Sequence, residues 1–77
     1  MSDAELRTYF WDFFGPRAAP TAAHFKRHLQ AFLAQHGIAE LKVLSESPSP
    51  MHRAIGVQTP VAHWELIEKA LRPKRHA

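Results

Sequence analysis

The aromatic segment Thr8-Tyr9-Phe10-Trp11-Asp12-Phe13-Phe14 is the most informative part of this sequence. All of its residues except Asp12 are aromatic or β-branched, and these are the types that favour a β-strand. A helix is the alternative, because Ser2 and Glu5 have the spacing of a capping box and the large side chains also recur at helical intervals. Those side chains are Leu6, Tyr9, Phe10, Phe13 and Phe14. We expect residues 6–14 to form a strand that Gly15-Pro16 ends.

A helix is predicted downstream of this strand, over residues 21–36. Its apolar positions recur every three or four residues, as on one face of an amphipathic helix: Ala22, Phe25, Leu29, Phe32, Leu33 and His36. Thr21 is a suitable N-cap, because its hydroxyl can accept a hydrogen bond from a free amide of the first turn. Gly37 suits the left-handed position that commonly follows the end of a helix.

A hairpin and a second helix complete the predicted chain path. Residues 38–45 and 51–58 alternate in part as strands do, and residues 46–50 between them contain two prolines, which indicates a turn. The second helix is predicted over residues 60–71, with Thr59 as its cap and Pro60 in its first turn.

These elements predict an α+β fold with the order β-α-β-β-α, a truncated ferredoxin-like domain spanning residues 1–77. Its three-stranded antiparallel sheet has the third strand in the centre, and both helices lie on one face. Residues 72–77 look too short and too basic to supply a fourth strand, so we expect a basic tail there.

Without a fourth strand, the aromatic first strand has an exposed edge and an exposed face. Such surfaces aggregate or bind a partner. We therefore predict an interaction surface at Tyr9, Trp11 and Phe13, used by a homodimer or by another, unknown protein. The alternative is that terminal residues of the same chain cover this surface in a monomer.

Composition narrows the remaining classes of function. The chain has 77 residues and no cysteine, which excludes disulfides and thiolate metal sites. No apolar run is long enough for a membrane span, and the acidic residues 1–5 do not resemble a secretory signal. We expect a cytoplasmic protein that does not bind membranes.

Basic residues suggest two further candidate sites. The formal net charge of +3 and the isoelectric point of about 9.8 favour anionic partners mildly. Nucleic acid is one such partner, contacted by the basic side chains of Arg53, Lys74 and Arg75 and by the aromatic face of the sheet. The other is a small anion bound before the first helix by Arg17, Thr21 and His24.

Motifs for catalysis and for metal binding are weak in this sequence. His24 and His28 have the i, i+4 spacing of a ligand pair, but two ligands alone do not make a site, so we predict no metal and no cofactor. No nucleophile elbow, phosphate cradle or carboxylate pair occurs. Asp12 is expected to form an ion pair with Arg17 or Arg53. The functional prediction is a non-enzymatic interaction or regulatory module, and enzymatic chemistry on an anion at the Arg17 loop is the less favoured alternative.

Overall fold

The aromatic stretch is extended in a computed structural model of the chain, which describes residues 5–76. Strand β1 covers Leu6–Phe14, so the predicted strand is confirmed and the helical alternative is wrong. Ser2, half of the capping box on which that alternative depended, lies outside the described residues.

Two helices and four strands follow one another along the described part of the chain. Their bounds are β1 Leu6–Phe14, α1 Ala18–Gln35, β2 Lys42–Ser49, β3 His52–Pro60, α2 Trp64–Leu71 and β4 Arg75–His76. The strands form one sheet in the order β2-β3-β1-β4, with every neighbouring pair antiparallel. The α+β class and the central position of β3 are confirmed, whereas the predicted count of three strands is wrong.

The fourth strand comes from the segment predicted to be only a tail. Arg75 and His76 pair with Phe10 and Tyr9 of β1, and the amide of Lys74 donates to the Phe10 carbonyl over 2.9 Å. A strand of two residues has no detectable alternation in sequence, and it is held here by side-chain contacts as well as by backbone pairing. Ala77, the last residue of the predicted tail, lies outside the described residues.

Alternation along β1 and β3 separates a core face from an open face. Trp11 lies on the core face, where its ring packs 5.0 Å from that of Phe25 in α1 and its indole N–H donates to the Leu71 carbonyl of α2 over 2.9 Å. Both helices therefore cover the same side of the sheet. The buried core cluster comprises Tyr9, Trp11, Ala22, Leu29, Leu33, Ile38, Ile55, Val57 and Ile67. Neither helix is long and apolar enough to cross a membrane, judged over residues 5–76.

Helix α1 begins three residues earlier than the sequence predicted. Its N-cap is Arg17, and the amide of Thr21 already donates to the Arg17 carbonyl over 3.1 Å, so Thr21 is inside the first turn and does not cap it. Pro20 is tolerated there because the first-turn amides of a helix have no intrahelical acceptor.

The predicted end of α1 is confirmed at Gly37. This glycine has a φ of 71°, and two backbone bonds close the helix: Gly37 donates to Ala34 and Ile38 donates to Leu33. This is the Schellman arrangement, in which the residue after the glycine also packs against the last turn. Ile38, predicted to start a strand, is buried in this way before β2 begins.

The hairpin and α2 differ from prediction at their boundaries. Strand β2 continues to Ser49, with an irregular register between Glu46 and Ser49 that accommodates Pro48 in an edge strand. A 3₁₀ turn at Val61–His63 separates β3 from α2, so Pro60 ends a strand and does not start a helix.

Gly56 provides a test of how the open face is packed. A Cβ at this position would lie 2.9 Å from Cε1 of Phe10, whose ring is itself covered by the Arg75 guanidinium 4.2 Å from its centroid. We predict that Gly56→Ala lowers the free energy of unfolding by about 1–3 kcal/mol, the usual cost of overpacking, measured by urea denaturation.

The control is the same substitution in a Phe10→Ala background, where no ring opposes the new methyl group. There the added cost of Gly56→Ala should fall close to zero. If Gly56→Ala lowered the free energy of unfolding equally in wild type and in Phe10→Ala, the Phe10 ring would not be the group that opposes the new methyl group.

Candidate functional site

Five side chains lie together on the face of the sheet that the helices do not cover. Phe10, Asp12 and Phe14 alternate with the core residues of β1, and the strand register places His52 beside Phe14 and Arg75 beside Phe10. We call this row the open-face cluster. It joins β3, β1 and β4, which are distant in sequence and adjacent only in the folded sheet.

Asp12 is the centre of the open-face cluster. Arg75 donates to its carboxylate through Nε at 2.9 Å and Nη2 at 3.1 Å, and His52 Nε2 donates to Oδ1 over 2.9 Å. The Arg75 hydrogen bonds lower the pKa of Asp12 below its ordinary value, and the His52 bond adds to this effect against the opposing effect of burial. The carboxylate is therefore ionised and its charge is compensated. Neither Arg17 nor Arg53, the partners predicted for it, makes this ion pair.

The two rings of the open-face cluster differ in accessibility. Phe10 lies beneath the guanidinium of Arg75 and is buried. Phe14 stacks on the His52 ring, with centroids 4.3 Å apart and planes inclined by 23°, yet it remains 72% exposed. Apolar surface is thus available at the Phe14 end of β1.

Along β1, the backbone N–H and C=O groups of the even-numbered residues point to the outer edge of the sheet, away from β3. The amide of Gly15 donates to the Met51 carbonyl over 2.8 Å, so the odd-numbered groups point towards β3. The Phe10 carbonyl accepts from Lys74 on the opposite side. In an antiparallel strand the N–H and C=O of one residue point the same way and alternate between the two edges.

Strand β4 covers only part of that outer edge. It pairs with Tyr9 and Phe10 and extends no further along β1. The outward N–H and C=O groups of Asp12 and Phe14 make no backbone hydrogen bond to any residue between 5 and 76. We call this segment, Asp12 to Phe14, the open edge.

Exposed apolar residues lie at both ends of β1, with Phe14 beside the open edge and Leu6 eight residues away at the start of the strand. Met51 is half-exposed, and its carbonyl accepts the hydrogen bond from Gly15 on the β3 side of the strand. Leu6, 52% exposed, lies at the other end of the strand opposite Pro60. Leu6 is therefore a natural control for Phe14.

The predicted interaction surface at Tyr9, Trp11 and Phe13 is on the wrong face of the strand. Tyr9 and Trp11 are 1% and 5% exposed in the core, and the Tyr9 hydroxyl donates to the Glu68 carboxylate of α2. Phe13 packs against Phe25 with ring centroids 5.5 Å apart. Large rings occur at both the odd-numbered and the even-numbered positions of β1, so composition could not show which positions face the helices.

The structure does not bring the predicted nucleic-acid residues together. Arg53 alternates with the open-face residues of β3 and donates to the Ser49 carbonyl over 3.0 Å. Arg75 lies across the sheet, where Asp12 compensates its charge. Lys74 is exposed in the connection before β4.

The predicted anion site is at the start of α1. Arg17 is the N-cap residue, and both it and Thr21 are exposed. His24 lies further along the helix, and its Nε2 is 3.0 Å from Nε2 of His28.

Comparisons with known proteins add no functional assignment. No protein-family model, curated protein or solved structure matches the chain. The part of the chain that the structure describes also holds no group of three or more metal-ligating side chains. The candidate site is therefore defined from the structure alone: it consists of the open-face cluster and the open edge beside it.

The compensated charge of Asp12 predicts a pH dependence of stability. Because the folded protein binds a proton at Asp12 less readily than the unfolded chain does, Asp12 stabilises the fold above the unfolded pKa of about 4. This contribution is lost as the pH falls through the lowered folded pKa. Asp12→Asn should reduce the free energy of unfolding by about 1 kcal/mol at pH 7, and its difference from wild type should shrink below about pH 4.

Urea denaturation at pH 7 and at several lower values measures this difference. Glu65→Gln is the control, since the Glu65–Lys69 pair is exposed to solvent and should contribute little. A gap between wild type and Asp12→Asn that stays constant down to pH 2 would be incompatible with the Asp12 ion pairs.

Proposed function

We propose that this chain is a non-enzymatic protein-interaction module that forms a homodimer by pairing the open edges of two β1 strands. The observation that carries the proposal is the short reach of β4, which leaves the backbone groups of Asp12 and Phe14 without a backbone partner among residues 5–76. An edge of this kind is a template for another strand.

A second copy fits this edge because the edge is complementary to itself. A two-fold axis near Phe13 would place Asp12 of one copy opposite Phe14 of the other, in antiparallel register. Each of these residues offers one N–H and one C=O, so a single register satisfies all of the outward groups of both open edges. The contact would continue the sheet from one copy into the other.

Charge and apolar surface favour the same arrangement. Arg75 compensates the charge of Asp12 and His52 donates a hydrogen bond to it, so two open edges can approach without strong repulsion between their carboxylates. The exposed ring of Phe14 would be covered by the partner, and burying a phenylalanine side chain contributes about 1.5–3 kcal/mol. Because the contact is small, we expect dissociation constants on the order of 1–100 μM.

The other edge of the sheet has features that oppose such pairing. Strand β2 carries Lys42, Glu46 and Pro48 and an irregular register near its end. Charges, proline and bulges are the usual protection of edge strands. Within the described sheet, the open edge of β1 is the better site for self-association.

The finer fold assignment and the other functions stay predictions. The order β-α-β-β-α-β supports a ferredoxin-like fold with a shortened fourth strand. Nucleic-acid binding is the second candidate function, favoured by the exposed Phe14 ring on the sheet face, where a base could stack. Anion binding at Arg17 and a cytoplasmic location also stay predictions.

Sedimentation equilibrium at micromolar concentrations tests the dimer. Wild type should be a reversible dimer, and Phe14→Ala should weaken it by about a hundredfold or more, because each dimer loses two buried rings. Phe14→Pro also removes the outward N–H and should give a monomer, while the inward hydrogen bonds to β3 are retained. Leu6→Ala, which removes a comparable exposed side chain far from the open edge, should leave the dimer intact.

Circular dichroism and thermal unfolding establish that each variant remains folded. A wild type that is monomeric throughout this concentration range, or equal weakening by Leu6→Ala and Phe14→Pro, would overturn the proposal. Monomeric wild type that binds single-stranded oligonucleotides through Phe14 would favour the second candidate instead.

A further inference from the structure

A pair of imidazoles on α1 forms a second chemical feature, separate from the open edge. His24 and His28 lie one turn apart on the exposed side of the helix, with Nε2 atoms 3.0 Å apart and ring centroids 4.4 Å apart. Residues at i and i+4 share a helix face, so the helix itself holds both rings in position.

The distance between the two nitrogens matches chelation of one metal ion. Two metal–nitrogen bonds of roughly 2.0–2.1 Å that end on atoms 3.0 Å apart enclose an angle of roughly 95°. That angle suits neighbouring positions of a square-planar or octahedral ion.

We propose that His24 and His28 chelate one divalent transition-metal ion, with Ni²⁺ and Cu²⁺ preferred over Zn²⁺. Imidazole is a good ligand for all three ions, and tetragonal coordination by nitrogen and oxygen is characteristic of Cu²⁺ and Ni²⁺. Water completes the coordination, because both histidines are exposed and no third protein ligand lies close enough among residues 5–76.

The surroundings of the pair limit the affinity. Lys26 and Arg27 lie between the two histidines in sequence and add positive charge nearby. The folded helix compensates in part, because it presents the second imidazole at high effective concentration once the first has bound. The proposal does not depend on the homodimer, since the pair is on α1 and not on the open edge of β1.

Isothermal titration calorimetry of the tag-free protein tests the site with Ni²⁺, Cu²⁺ and Zn²⁺ added separately. One ion of Ni²⁺ or Cu²⁺ should bind per chain, and Zn²⁺ should bind more weakly. His24→Ala and His28→Ala should each lose about tenfold or more in affinity, because a chelate becomes a single ligand. His36→Ala and His63→Ala, which remove imidazoles outside the pair, should bind as wild type does.

Thermal unfolding provides a readout that depends on the folded helix. At about ten times the dissociation constant, Ni²⁺ should raise the melting temperature of wild type by about 5–10 °C. It should have little effect on His28→Ala. Absence of binding, an unchanged titration in His28→Ala, or tighter binding of Zn²⁺ than of Ni²⁺ would overturn the proposal and leave the two rings as a simple hydrogen-bonded pair.

Discussion

The pairing of β1 with β3 sets the positions of the core, of both helices and of the open-face cluster. Its register runs from Leu6 opposite Pro60 to Phe14 opposite His52 without a shift. This register fixes two faces at once, because side chains alternate along a strand. The odd-numbered rings of β1 enter the core under both helices, and Phe10, Asp12 and Phe14 lie on the other face, where they belong to the open-face cluster. A shift of one residue would exchange the two sets and expose the core.

Local sequence patterns predicted the parts of the fold that depend on local physics. The aromatic composition of residues 6–14 indicated a strand, and Gly37 indicated the end of α1. Alternation in residues 51–58 placed Ile55 and Val57 on one side of a strand, and both are buried. The missed features needed information from elsewhere in the chain. Strand β4 exists because Arg75 reaches Asp12 and Phe10, and this contact joins residues 63 positions apart.

The candidate site was harder to predict than the fold for the same reason. The sequence predicted an interaction surface on the aromatic strand. The rings predicted to form it, those of Tyr9, Trp11 and Phe13, instead face the core. Which rings face outward depends on the side of β1 that the helices cover. Because both faces of β1 carry aromatic residues, the sequence does not show which side that is. Asp12 was singled out correctly as an ion-pair former, whereas its partners His52 and Arg75 become neighbours only through strand pairing.

Amide hydrogen exchange along β1, followed by nuclear magnetic resonance at several protein concentrations, shows whether the open edges of two copies pair. The inward amides of Trp11 and Phe13 should be protected at every concentration, because β3 binds them in the monomer. The outward amides of Asp12 and Phe14 should exchange rapidly in dilute protein and become protected as the concentration rises through the micromolar range. Protection of these two amides in dilute protein, or their rapid exchange at concentrations where the protein is dimeric, would rule out dimerisation through the open edge.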